Sequence, residues 1–248
     1  METCLNCGTE LKGKYCCNCG QAKITKRMNV KSLFHDFLHS YFHWESSLII
    51  TIKELAIAPG NFIHSYIEGK RKSYTAPVSF FILTTTIFVI MFHFVSENFL
   101  NNMNHMIIGE SVDKISIRGE TPFEIQHFIA NKINYFLFLL PPVIAFYFML
   151  VFRKMKINFA EALVFSFYMM GQGMLMSSIL ILTVMLSFKL SNLRYIVTVS
   201  YYIFAMVQFS RSNVFPGILK SAAVLILSYL SFFLIMVSLL ITFLKFII

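Results

Sequence analysis

The chain has 248 residues, of which 57% are apolar and 13% charged, against roughly 45–50% and about 25% in soluble domains. A water-soluble fold could not cover that much apolar surface, so an all-α integral membrane protein is expected. The formal charge of +9 is read as Lys and Arg that set topology and meet anionic headgroups; the lipid bilayer, not nucleic acid, is the expected partner.

The opening METCLNCGTE lacks an apolar signal-peptide core, so the head is expected to stay in the cytoplasm. Within CLNCGTELKGKYCCNCGQ, Cys4 and Cys7 form one C-x-x-C knuckle and Cys16 and Cys19 a second. Gly8 and Gly20 follow the pairs, where a tight turn must aim backbone amides at sulfur. Four thiolates at this spacing point to a ribbon over residues 1–22 holding one structural zinc per chain. A disulfide framework is the alternative, but a reducing cytoplasm keeps thiols free. A redox C-x-x-C needs a βαβ context for which so short a head has no room. Four thiolates leave no open coordination position, so the metal is expected to stabilise a fold and not to catalyse. Cys17 is left over as a bystander.

Residues 23–75 are read as amphipathic juxtamembrane helices ending in a basic collar. Val30, Leu33, Phe34, Phe37, Leu38, Tyr41 and Phe42 recur at helical spacing beside Lys26, Arg27 and Lys31. This pattern predicts an interfacial helix on the inner leaflet, although docking on the bundle would produce it too. His35, His39 and His43 form a separate stripe. Roughly 12 Å of helical rise separates the first from the last, so one ion cannot bind all three. An adjacent pair completed by His64 or Asp36 is a second candidate metal site. A further helical stretch over about 47–58 precedes a short helix opened by Pro59, which carries His64, Tyr66 and Glu68 and stops near Gly69. Lys70, Arg71 and Lys72 with Tyr74 read as a topology signal or as a site for phosphate or a lipid headgroup.

Residues 76–248 carry apolar runs over about 77–95, 133–152, 160–188, 193–209 and 222–244, and a helix needs about 20 such residues to cross the hydrocarbon core. Five crossings are expected. The bases at 70–72, at Arg153, Lys154 and Lys156, and at Arg211 and Lys220 then face the cytoplasm. The segment 96–132, richer in acids than bases, and the C-terminus lie outside. The fourth run is short and rich in Ser, Thr and Tyr, and Lys189 and Arg194 beside it fall on the outer side against the rule. No carboxylate, His or base sits at mid-depth; His93 and Glu161 lie near span ends. Gln172, between Gly171 and Gly173, is the most polar interior residue, and Pro141-Pro142 is expected to kink the second crossing. Met103, His105 and Met106 are too loose a set for a copper site.

Pro59, Gly60, Phe62, Ile63, Tyr66, Ile67, Gly69, Lys70 and Arg71, followed by Pro77-Val78-Ser79-Phe80 and preceded by FHDFLHSYFHW and the cysteine head, resemble a bacterial membrane family of domain-of-unknown-function number 3667. The resemblance covers about the first 85 residues and implies no activity. By layout alone the chain is similar to Yip1-like five-pass membrane proteins, which warrants little about function. A non-enzymatic scaffold or regulator of the inner membrane, using the zinc ribbon to recognise a cytoplasmic protein, is the leading expectation. The alternatives are a transporter or channel component, and a metal- or lipid-handling enzyme using His35, His39, His43 and His64.

Overall fold

This computed structural model describes residues 2–23, 27–33, 45–107, 137–182 and 192–247. Of the expected interfacial helix, Val30 and Leu33 stand on helical backbone, whereas residues 34–42, with the stripe His35, His39 and His43, lie outside the described residues, as does Lys189. Among the described residues the elements are helical, apart from two isolated antiparallel bridges in the head, Thr3 with Glu10 and Tyr15 with Ala22. The helices are α1 (Glu45–Ile57), α2 (Pro59–Glu68), α3 (Pro77–Ile107), α4 (Leu140–Val151), α5 (Phe159–Leu180), α6 (Leu193–Ser210) and α7 (Val214–Ile247).

Among the described residues, three stretches are long and apolar enough to cross a membrane: Pro77–Val95, Phe159–Leu180 and Val214–Ser238. They mark the chain as a helical membrane protein. Leu137–Val151 is apolar but shorter. The first apolar stretch ends at Val95, as expected, and α3 continues beyond it as helix to Ile107. Polar residues end an apolar run but do not end a helix, and from Val78 to Ile108 there is neither Gly nor Pro to stop one. Met103, His105 and Met106 therefore stand on helical backbone. Pro141-Pro142 occupies the first turn of α4, directly after the 3-10 turn Leu137–Leu139, where a missing N–H costs nothing.

Helix α5 is the centre of the bundle, packed by α3, α4, α6, α2 and α1. Ala162, Val164, Phe165, Tyr168, Met169 and Met170 along it are fully buried. Its small residues admit neighbouring rings: a Cβ on Gly171 would lie 2.8 Å from the Phe80 ring, and one on Gly173 would lie 2.3 Å from that of Tyr202. Gln172 is buried between them. A column of stacked rings ties four helices together, with centroids 4.5 Å apart for His64–Phe209 and 4.6 Å for Phe209–Phe165, Phe165–Phe148 and Phe148–Phe152. Helix α2 is part of this core: Phe62, Ile63 and Tyr66 are buried, so its apolar face meets protein.

Candidate metal centre and its docking loop

Each half of the head folds by the same local bonds, displaced by one knuckle. The Gly8 N–H reaches the Cys4 carbonyl at 2.8 Å and the Gly20 N–H reaches that of Cys16 at 2.9 Å. The Cys4 N–H bonds the Thr9 carbonyl at 2.8 Å and the Cys16 N–H bonds that of Gln21 at 2.9 Å. Gly8 and Gly20 adopt φ of 75° and 70°, a left-handed turn that a side chain resists. The turns bring Cys4, Cys7, Cys16 and Cys19 together with all four sulfurs within 4.8 Å of one another. Cys7 and Cys16 lie 3.5 Å apart and Cys4 and Cys19 3.6 Å. Four thiols so placed can hold a metal ion. Cys17 is exposed and outside the cluster.

The sulfurs differ in acidity. The Thr9 hydroxyl, and then the Thr9 backbone amide, lower the Cys7 thiol to about 6, whereas burial pushes Cys19 up to about 11. A cation entering the cluster must displace the Cys19 proton, so affinity climbs with pH.

The head is seated on the collar through both knuckles. Gln21, directly after the second, donates from Nε2 to the Gly69 carbonyl at 2.8 Å, and its Oε1 accepts the N–H groups of Arg71 and Lys72, each at 3.0 Å. Asn6, inside the first, accepts the Ser73 N–H at 3.2 Å and its hydroxyl at 3.0 Å. The rest of the loop is fixed from the other side. Tyr74 donates to Glu54 at 2.8 Å, the Thr75 N–H to Thr51 Oγ1 at 3.1 Å, and Tyr168 to the Thr75 carbonyl at 2.6 Å.

A second clamp follows the head. Arg27 makes a two-pronged bond to Glu161, Nε to Oε1 and Nη2 to Oε2, both at 2.6 Å, and also reaches the Lys156 carbonyl at 2.9 Å. Glu161 and Asn158 close the capping box of α5, and Asn158 Nδ2 bonds the Met28 carbonyl at 2.9 Å. Glu161 was legible as a residue near a span end, but its partner was not, because 134 residues separate it from Arg27.

The candidate sites fare differently. The four cysteines converge. His64 is engaged locally, its Nε2 2.9 Å from the Phe209 carbonyl and its ring stacked on Phe209. Of the collar, Tyr74 is buried with its hydroxyl on Glu54, and the Lys70 ammonium lies 5.3 Å over the Tyr74 ring. Tyr74 thus packs inward, against Glu54 and the Phe62 ring. Arg71 stacks 5.8 Å over Tyr66. Asn6 and Gln21 carried no signal in the sequence beyond their places beside the cysteines.

Comparison with known proteins identifies one segment. Residues 45–89 match the family described as "Protein of unknown function (DUF3667)". That stretch is α1, α2, the docking loop and the start of α3, so the matched segment includes the surface on which the head sits. No curated protein and no solved structure matches the chain.

Proposed function

We propose that the protein is a non-enzymatic scaffold or regulator of the bacterial inner membrane, with a zinc-loaded cytoplasmic head that recognises a cytoplasmic protein. The observation that carries this reading is the convergence of four cysteine sulfurs within 4.8 Å of one another. Zinc–thiolate bonds of about 2.3 Å put tetrahedral sulfurs about 3.8 Å apart, near the 3.5 Å of Cys7–Cys16 and the 3.6 Å of Cys4–Cys19. With four thiolates the shell is complete, which favours a structural ion. Cys4, Cys7, Cys16 and Cys19 would hold it, and it would keep Asn6 and Gln21 in register with the loop. Leu5 and Tyr15 stay exposed on the head and offer the apolar anchors that a protein partner needs.

Five crossings complete the proposal. Helix α6 has 18 residues, which span about 27 Å. The start of α5 meets Arg27, and the end of α6 meets α2 through Gln208 and Phe209. The starts of α3 and α5 and the end of α6 therefore gather at the end of the bundle that carries the head, as an alternating in-and-out path requires. Elemental analysis of the purified chain should return one zinc. A partner captured by the intact protein should be lost from a Cys4→Ser/Cys7→Ser variant that still inserts. Equal capture by both proteins would sink the recognition reading.

A further inference from the structure

The geometry points to residues 70–73 as a phosphate-binding loop that the head keeps closed. Three consecutive backbone N–H groups, of Arg71, Lys72 and Ser73, and the Ser73 hydroxyl all face the head. Successive amides turned to one side form a concavity suited to an anion. Here the four donors meet two neutral carboxamide oxygens, Gln21 Oε1 and Asn6 Oδ1. Lys70, Arg71 and Lys72 supply positive charge within the same four residues, and the Lys72 side chain is exposed. Hydrogen bonds to an ionised acceptor are roughly twice as strong as those to a neutral one. A phosphate group is thus the better ligand for this donor set, and the two carboxamides stand where its oxygens would go.

Two further features make this a site that can open. Its far side is held independently of the head, by Tyr74 on Glu54, Thr75 on Thr51, and Tyr168 on the Thr75 carbonyl. The donors therefore keep their arrangement when Asn6 and Gln21 withdraw. The loop also lies directly before Pro77, where the first apolar stretch begins, which sets it at headgroup depth. The same chemistry serves a lipid phosphomonoester or a soluble phosphate. The proposal concerns the loop; only the link to metal loading rests on the zinc reading above.

Hydrogen exchange of the 69–75 backbone, measured on the full-length protein in nanodiscs, tests it. In phosphatidylcholine discs, an Asn6→Ala/Gln21→Ala variant should exchange roughly tenfold faster than wild type at residues 71–73. Adding phosphatidic acid to the discs should restore protection if the ligand is a headgroup; millimolar inorganic phosphate in phosphatidylcholine discs should restore it if the ligand is soluble. Either rescue should be lost on adding Lys72→Ala. The proposal is overturned if the double variant exchanges as slowly as wild type, or if neither phosphate source slows it. Chelating the metal from wild type should reproduce the double variant. If chelation alone has no effect while the variant responds to phosphate, the zinc link fails and the phosphate site stands.

Discussion

At the scale of single residues, the most demanding contacts join parts of the chain that are far apart in sequence. Gly60 sits against the end of α6, where a Cβ would come within 2.6 Å of the Gln208 carbonyl carbon and of the Phe209 nitrogen. Backbone cannot yield as a flexible side chain can, so Gly60→Ala should cost about 1–3 kcal/mol of stability through overpacking. The check is the thermal midpoint in detergent, with Asn61→Ala, an exposed neighbour, expected to leave it unchanged. The Arg27–Glu161 pair gives a second test. Glu161 is buried, while the Arg27 side chain is 61% exposed, so most of what Arg27→Met removes is the partner of a buried carboxylate. Arg27→Met should lower the midpoint and the N-terminal segment should become susceptible to protease. Glu161→Gln in the same chain should recover part of the loss, because a neutral amide can stay at the helix start without a counter-charge. A double variant no better than Arg27→Met alone would mean that the ion pair contributes little.

At the scale of elements, the sequence was most informative where chemistry is local. The cysteine pairs could be read because each knuckle is closed by bonds between near neighbours, and the same bonds recur in both halves. Hydropathy marked the end of the first apolar stretch at Val95 but not the end of its helix, because helix ends depend on breakers and none occurs before Gly109. Pro141-Pro142 is compatible in sequence with either a kink or a start, and α4 begins at Leu140, one residue before them. The head itself yields a pH prediction. Cys19, raised to about 11 by burial, must lose a proton to bind metal, whereas Cys7 at about 6 is already ionised at neutral pH. Proton and metal compete, so affinity should fall as pH drops from 8 to 5.5, the fall steepening once Cys7 also protonates near pH 6. A chelator titration of bound metal across that range measures this. An affinity independent of pH would show that the thiols do not bind as thiolates.

At the scale of the whole molecule, the sequence reading left the head as a tethered module, and here it was least informative. Docking runs through Asn6, Gln21 and Arg27, polar residues whose partners lie 67, 48 and 134 positions away, and nothing in one sequence announces such pairs. Their effect is to gather the head, the loop before α3 and the α4–α5 connection, while Gly60 and His64 of α2 hold the end of α6. The bases at 70–72, 153–156 and 211 belong to these same connections, which is the arrangement that a positive-inside topology requires. Arg194 stands at the opposite end of α6, stacked 4.4 Å over the Tyr195 ring, and with Lys189 is a charge that this topology must tolerate outside. The test turns on α6. If it crosses, a fluorescent protein fused after Asn213 should be bright and one fused after Ile248 dark, with alkaline phosphatase fusions showing the reverse activities. If α6 stays on one side, its two ends share a compartment, and α7 must begin outside or start from a different register. A dark Asn213 fusion would remove the five-crossing topology, while head and loop, both before the first apolar stretch, would still share a side.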